Sequence, residues 1–147
     1  MKKFSFGLEK ILTIKQKELD MISQDYARVL NQKQVKEQRL AYLNDQLNQL
    51  YHQRQTMLRR STSSQQLHQM RFKEDQAQYC IKEVTKAIET LHLQCEQLLK
   101  QRQAKKIEVS GLEKLKEKQL AEFNQLSAKQ EEAFIESLWN QKNNFKQ

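Results

Sequence analysis

The 147-residue chain contains no proline and only two glycines, and 26 basic against 18 acidic residues give it a net charge of +8. Proline and glycine interrupt helices, so their scarcity permits very long helices and leaves little room for the loops that build catalytic pockets. A hydrophobic share of 37% is low for a globular core but suits a coiled coil, in which about two positions in seven face a partner helix. The composition therefore predicts an all-α protein and argues against a pocket-bearing enzyme.

Apolar residues recur with coiled-coil spacing in the first half of the chain. Alternating steps of four and three from Leu8 to Met57 meet fifteen positions, of which eleven are apolar. Sustained over seven heptads, this pattern predicts a helix over about residues 5–59. This first heptad stripe consists of Leu8, Leu12, Lys15, Leu19, Ile22, Tyr26, Val29, Lys33, Lys36, Leu40, Leu43, Leu47, Leu50, Arg54 and Met57.

Four consecutive hydroxyl residues occupy positions 61–64. Such side chains hydrogen-bond to the nearby backbone and favour turns and helix caps. Ser63 and Gln66 also have the spacing of a capping box, which indicates that a second helix begins here. We therefore place a turn at about residues 60–64.

A second heptad stripe follows the turn and predicts a helix over about residues 64–142. Fourteen of its twenty positions are apolar if alanine and cysteine are counted. The stripe consists of Leu67, Met70, Glu74, Ala77, Ile81, Val84, Ile88, Leu91, Cys95, Leu98, Arg102, Lys105, Val109, Leu112, Lys116, Gln119, Phe123, Leu126, Gln130 and Ala133.

Two long helices joined by a short connection predict an α-hairpin: an all-α, long antiparallel two-helix coiled coil forming one domain over residues 1–147. Pairing residues whose numbers sum to about 124 places Leu8 opposite Lys116, so the C-terminal helix is expected to overhang by about five or six turns. Lysines within the stripes are expected to face apolar residues, as Lys105 would face Leu19, with their ammonium groups reaching water.

No arrangement of residues predicts catalysis or cofactor binding. The two glycines cannot form a phosphate-binding loop, and His92 with Cys95 supplies too few ligands for a metal site. The acidic group of Glu131, Glu132 and Glu136 is interpreted as a solvated helix face. We therefore expect a protein that is not an enzyme and that has no cofactor and no metal.

Cysteine spacing and the missing apolar runs bear on the compartment. Cys80 and Cys95 would lie roughly 22 Å apart along a helix, beyond the reach of a disulfide, so buried thiols in a reducing cytoplasm are expected. No apolar run follows Met1-Lys2-Lys3, and no stretch approaches the roughly 20 apolar residues of a membrane span. Neither a secretory signal nor membrane insertion is expected.

The basic excess lies within residues 1–106. Arg59-Arg60 and the cations between Lys100 and Lys106 have the charge to contact phosphate. Acidic residues interleave with basic ones along most of the chain, and no nucleic-acid-binding motif is present. This pattern favours a solvated surface or a protein contact over nucleic-acid or membrane-surface binding.

Motifs along the chain resemble the FliJ family of the bacterial flagellar type III export apparatus. The N-terminus has the pattern Phe4-x-Phe6-x-Leu8-x-x-Ile11-Leu12-x-x-Lys15, followed by Lys17-Glu18-x-Asp20. Residues 76–89, with Lys86-Ala87-Ile88-Glu89, and residues 112–118 leading to Phe123 and an acidic tail are similar to the family's second helix.

The resemblance implies a non-enzymatic stalk or coupling component of flagellar type III protein export, similar to the γ subunit of rotary ATP synthases. The implied partners are the hexameric export ATPase, the cytoplasmic domain of the export-gate membrane protein and export chaperones. The implied place is the cytoplasmic face of the inner membrane at the flagellar basal body, in flagellum biogenesis and motility. A stalk protein of a virulence type III secretion system and a generic coiled-coil scaffold are the alternatives.

Two partner surfaces are expected from this resemblance and from apolar residues that a hairpin would expose. The alternatives are that the tail folds back on the N-terminus or frays, and that the aromatics near the turn only widen the helix contact. The ATPase end would comprise Phe4, Phe6, Phe123, Leu126, Phe134, Ile135, Leu138 and Trp139. The export-gate end, near the turn, would comprise Tyr42, Leu43, Tyr51, Phe72, Tyr79, Cys80 and Val84.

Overall fold

Two long α-helices, packed against each other, account for almost all of the described chain. The computed structural model describes the backbone of residues 2–145 and the side chains of residues 2–144. Helix α1 is Glu9–Arg59 and helix α2 is Ser64–Phe145, with no strand between residues 2 and 145. The predicted all-α fold of two long packed helices is confirmed.

Packing divides the chain into two units. Unit 1 combines the chain up to Asp20 with the chain from Gln103 onward, and unit 2 is Met21–Arg102. In each unit a segment of α1 runs antiparallel to a segment of α2. The single domain over residues 1–147 stays a prediction, and its residues 1, 146 and 147 lie outside the described part of the chain.

The turn in unit 2 is held by hydroxyl side chains. The Ser63 hydroxyl oxygen accepts a hydrogen bond from the Gln66 backbone N–H at 3.2 Å, which caps the N-terminus of α2. The Thr62 hydroxyl bonds back to the carbonyl oxygens of Met57 and Arg60, at the C-terminus of α1. α1 therefore ends at Arg59 and α2 begins at Ser64, the ends named from the sequence.

Helix α1 begins at Glu9, later than the predicted start near residue 5. The Glu9 backbone N–H donates to the Phe6 carbonyl at 3.1 Å across a turn that contains Gly7. Phe6 is buried with Leu12 and Val109 in the apolar cluster of unit 1. The residues before Gly7 lie outside the helix, and their path buries Phe6 against α2.

Burial follows the predicted heptad stripes. Every stripe position from Leu12 to Met57 is buried or half-buried except Lys36, and so is every position from Leu67 to Phe123. The stripe then ends earlier than predicted, because the next three positions are exposed: Leu126, Gln130 and Ala133. The most buried apolar side chains are Phe6, Leu12, Val29, Leu43, Met70, Cys95 and Val109.

The two cysteines differ. Cys95 lies on the stripe and is buried, whereas Cys80 is exposed. The prediction of a buried thiol was wrong for Cys80, since this residue lies off the stripe.

Stripe lysines find polar partners as well as apolar ones. The Lys105 ammonium group lies 2.6 Å from the Glu18 carboxylate and 3.7 Å from Glu108, although Leu19 was its predicted partner. In unit 2, Lys33 donates to Nδ1 of His92 at 3.1 Å. The ammonium groups of these lysines therefore meet acceptors at positions flanking the stripe, which the predicted pairing with apolar residues did not include.

Glu74 is the one charged side chain that is buried within the described part of the chain, at 4% exposure. Its Oε2 atom accepts a hydrogen bond from Arg54 Nη1 across the two helices at 3.0 Å. Its Oε1 atom is buried and has no hydrogen-bond partner among the described residues. The Arg54 guanidinium also lies 5.4 Å from the centre of the Tyr51 ring. This ion pair therefore ties one position of α1 to one position of α2.

We predict that Arg54→Met lowers the free energy of unfolding by about 3 kcal/mol, because it leaves the buried Glu74 carboxylate without a cation. The double variant Arg54→Met with Glu74→Leu should recover most of that loss, since no buried charge remains. Urea denaturation followed by circular dichroism at 222 nm measures both effects.

The matched control is Arg28→Met, which breaks an exposed ion pair with Asp25 at 3.7 Å. This change should cost less than about 0.5 kcal/mol. Equal losses for Arg54→Met and Arg28→Met, or no recovery in the double variant, would contradict the assignment.

Candidate protein-contact surfaces

Three residues predicted for the ATPase end pack together inside unit 1. The rings of Phe4 and Phe123 lie 5.6 Å apart between centres at an angle of 54°, a tilted aromatic pair. Phe4 also packs against the cluster that contains Phe6. The N-terminal segment therefore folds onto α2 and reaches Phe123, and these side chains serve internal packing.

The side chains of α2 beyond this contact face solvent. Every side chain of residues 128–144 is exposed, including Phe134 at 65% and Trp139 at 63%. Phe134, Ile135, Leu138 and Trp139 follow the spacing i, i+1, i+4 and i+5, so they share one face of α2. We call these four residues the tail surface. Leu126 is exposed too, but it lies about 150° from the centre of this face at 3.6 residues per turn.

The heptad count missed Leu120. Leu120 is partly exposed. It precedes Phe134 by fourteen residues and Leu138 by eighteen. Both separations are close to whole numbers of helical turns, so the three side chains lie on the same side of a straight helix. A strict seven-residue repeat drifts by about 20° per heptad against an α-helix, so the stripe passes over Leu120. Counting at 3.6 residues per turn would have found it.

The tail surface has acidic neighbours. Residues 119–145 contain four glutamates and two lysines, and none of them forms an ion pair within the described residues. Glu131, Glu132 and Glu136 lie within one turn of the apolar residues. Such a surface complements an apolar groove with a cationic border.

In unit 2, exposed aromatic residues lie on α2 near the turn. Phe72 and Tyr79 are seven residues apart and so lie on the same side of the helix, with Tyr79 at 65% exposure. Together with Cys80 they line a shallow depression whose other walls are Asp75 and Gln76. The depression combines aromatic side walls with polar groups, a composition suited to an amphipathic partner segment.

Tyr42 is the exposed aromatic of α1. Its hydroxyl accepts a hydrogen bond from Gln46 Nε2 at 2.7 Å, and the Arg39 guanidinium lies 5.4 Å from its ring centre. These neighbours contact the side chain while about half of it stays in water. We use the name aromatic surface for the exposed residues of unit 2 that were predicted for the export-gate end: Tyr42, Phe72, Tyr79 and Cys80.

The other residues predicted for the export-gate end lie between the helices. Leu43 is buried, and Val84 is half-buried. Tyr51 is half-buried, and its hydroxyl accepts a hydrogen bond from Gln78 at 2.8 Å. We assign these three side chains to helix packing, since little of each is available to a partner.

Cross-helix ion pairs set the electrostatics of unit 1. The hydrogen bond from Lys105 holds the pKa of Glu18 below its usual range, and the same bond raises the pKa of Lys105. The hydrogen bond from Lys15, at 3.1 Å, lowers the pKa of Glu108. Both contacts join an ammonium group on one helix to a carboxylate on the other, and this pairing favours the folded chain.

His92 and Cys95, the two residues with metal-ligand spacing in the sequence, are both engaged in other contacts. Nδ1 of His92 accepts from Lys33, and Nε2 lies 3.1 Å from Glu96, while Cys95 is buried in the stripe. Between residues 2 and 145 no three His, Cys, Asp or Glu side chains come together as a metal site would need.

No helix in the described part of the chain has the length and apolarity to cross a bilayer.

These features define a class of protein: two long packed helices that display apolar and aromatic side chains on their outer faces. The family model of the flagellar FliJ protein matches residues 4–135, so the chain belongs to the FliJ family, as the sequence motifs indicated. Membership makes it a flagellar export protein from a family of non-catalytic components. Comparisons with curated proteins and with solved structures give no match.

We predict that the pKa of Glu18 rises towards its ordinary value in Lys105→Gln, because the hydrogen bond that favours the carboxylate is removed. A lowered folded-state pKa gives stability that is present above the unfolded value of about 4.3 and is lost as pH falls through the folded value. Lys105→Gln should therefore lose less stability on acidification. NMR titration of the Glu18 side chain measures the pKa, and Lys106→Gln is the exposed control. An unchanged Glu18 pKa in Lys105→Gln would refute the assignment.

Trp139 is the only tryptophan and reports directly on the tail surface. Since its ring is exposed, we predict a red-shifted emission spectrum and ready quenching by acrylamide in the isolated chain. The Phe4→Ala variant, which disturbs the N-terminal contact with Phe123, should leave both signals unchanged. A blue-shifted, protected Trp139 in the isolated chain would mean that the tail surface is already covered.

Proposed function

We propose that this protein is a stalk and coupling component of the flagellar type III export apparatus. It would link the hexameric export ATPase to the export gate and to export chaperones, at the cytoplasmic face of the inner membrane. The observation that carries the proposal is the FliJ-family match over residues 4–135, and exposed apolar and aromatic side chains in each unit support it. A coupling protein needs such separate surfaces because it holds two partners at once.

The tail surface is the proposed ATPase contact. Its four apolar side chains lie on one face and are exposed, an arrangement that favours insertion of the helix into an apolar groove. We also propose that α2 overhangs its paired part here, which the exposure of residues 128–144 supports. Phe4, Phe6 and Phe123 are left out of the contact because they pack with one another.

The aromatic surface is the proposed export-gate contact. Phe72 and Tyr79 offer rigid rings at low entropic cost, and such residues dominate the energetics of protein interfaces. Export chaperones are the third proposed partner, and this part of the proposal rests on the family alone. The family match favours this flagellar role over a virulence secretion stalk and over a generic scaffold.

The test is a pair of variants that should fail in opposite ways. Phe134→Ser with Trp139→Ser should abolish stimulation of the export ATPase and leave export-gate binding unchanged. Tyr42→Ala with Tyr79→Ala should weaken gate binding by about thirtyfold, the effect of a typical hot spot of about 2 kcal/mol, and leave ATPase stimulation intact. ATP hydrolysis assays and titration calorimetry with the gate's cytoplasmic domain measure the two effects.

Matched controls remove exposed apolar side chains elsewhere in the same units. Ile14→Ser with Ile107→Ser is the control in unit 1, and Val35→Ala with Leu93→Ala is the control in unit 2. Both should behave as the unchanged protein does. Loss of ATPase stimulation in the tyrosine variant, or equal losses in the controls, would contradict the two-surface proposal.

A further inference from the structure

The segment around the turn differs in charge from the rest of the chain. Residues 46–73 contain no acidic residue, although acidic and basic residues interleave along most of the sequence. The same 28 residues contain five cations: Arg54, Arg59, Arg60, Arg71 and Lys73. Both helices meet at this turn within unit 2, so the cations gather at one end of that unit.

Four of these cations have no charged partner. Arg54 is engaged by Glu74, whereas Arg59, Arg60, Arg71 and Lys73 are exposed and form no ion pair with any described residue. The helix dipoles do not offset them, because the negative C-terminus of α1 and the positive N-terminus of α2 lie side by side and cancel. The first turn of α2 also lacks an acidic residue. The side chains therefore make this end of unit 2 positive.

An aliphatic side chain stands among the cations. Leu58 is 63% exposed and precedes Arg59 and Arg60 directly, at the last turn of α1. It lies off the heptad stripe, so helix packing does not use it. An exposed leucine beside arginines is typical of segments that lie at a membrane interface, where the apolar group enters the headgroup region and the cations bind headgroups.

We propose that Leu58, Arg59, Arg60 and Arg71, which we call the basic tip, bind the surface of a membrane that carries anionic phospholipids. The contact is peripheral: the arginines bind phosphate groups and Leu58 enters the interface, and no helix crosses the bilayer. This inference goes beyond the coupling function and does not depend on it.

Lipid fits the basic tip better than nucleic acid does. Leu58 gains by leaving water for the acyl boundary, whereas an aliphatic side chain cannot stack on a base. A fluid bilayer can also bring headgroups to cations that are spread over the ends of two helices. The exposed ring of Phe72 directly follows Arg71, but a single ring is not the series of stacking aromatics along a basic groove that binds single-stranded nucleic acid.

The expected binding is weak and reversible. Each cation at an anionic surface strengthens binding by about fivefold, so three arginines give roughly a hundredfold preference for anionic over neutral vesicles. Stable anchoring generally takes a second attachment. The basic tip would therefore orient a chain whose other contacts hold it in place.

The test uses the full chain and sedimentation with vesicles in about 0.1 M NaCl, where charges several ångströms apart still act together. One vesicle is phosphatidylcholine alone, and the other contains equal parts of phosphatidylcholine and phosphatidylglycerol. The unchanged protein should bind the anionic vesicles roughly a hundredfold more tightly. Arg59→Gln with Arg60→Gln should weaken that binding by about twenty-fivefold, and Leu58→Ser should weaken it severalfold.

The control is Lys82→Gln with Lys86→Gln, which removes the same charge from exposed positions of α2 in the same unit. Because these lysines lie outside the basic tip, binding should change by less than about threefold. Circular dichroism verifies that each variant keeps its helices.

Three results would overturn the proposal. The first is equal binding to the two kinds of vesicle, and the second is an equal loss in the arginine and lysine variants. The third is tighter binding to a single-stranded RNA oligonucleotide than to anionic vesicles, with the loss again at Arg59 and Arg60. That last result would assign the basic tip to nucleic acid.

Discussion

A pair of helices has one line of contact, and this constraint governs the rest of the structure. Each helix buries chiefly the stripe that faces its partner, so most side chains outside the stripe are exposed. Even the best-buried residues, such as Leu12 and Cys95, keep some exposure. Stability must then come from many small contributions along the stripe, and exposed apolar residues elsewhere cannot be explained by packing.

Charged residues supply what the apolar stripe lacks, which is a fixed register. A repeating apolar pattern can be satisfied after a shift of one heptad, but paired charges cannot. Four ion pairs join α1 to α2 within the two units, at distances from 2.6 to 3.1 Å. The Arg54–Glu74 pair is the most restrictive of them, because sliding would leave a buried carboxylate without its cation.

The sequence was most informative where one local force decides the structure. The apolar period located both stripes, and the hydroxyl residues located the turn, since each depends on neighbours in the chain. The start of α1 was mispredicted because the burial of Phe6 against Val109 is a contact across more than one hundred residues. The ion pair of Lys105 with Glu18 was missed for a similar reason: the stripe describes facing positions but not the groups beside them. Of the candidate sites, exposure of the tail residues was predictable, whereas the packing of Phe4 on Phe123 was not.

The short turn has a consequence for how the chain assembles. In unit 2, Arg54 and Glu74 are only 20 residues apart, whereas in unit 1 Gln16 and Glu113, which share a hydrogen bond, are 97 residues apart. The entropic cost of closing a loop rises with the length of the loop. We therefore expect helix pairing to begin at the turn and to proceed away from it. During synthesis, the part of α2 that packs against residues 2–20 leaves the ribosome long after them. Phe4 and Phe6 therefore stay exposed until the segment that contains Val109 and Phe123 has been made.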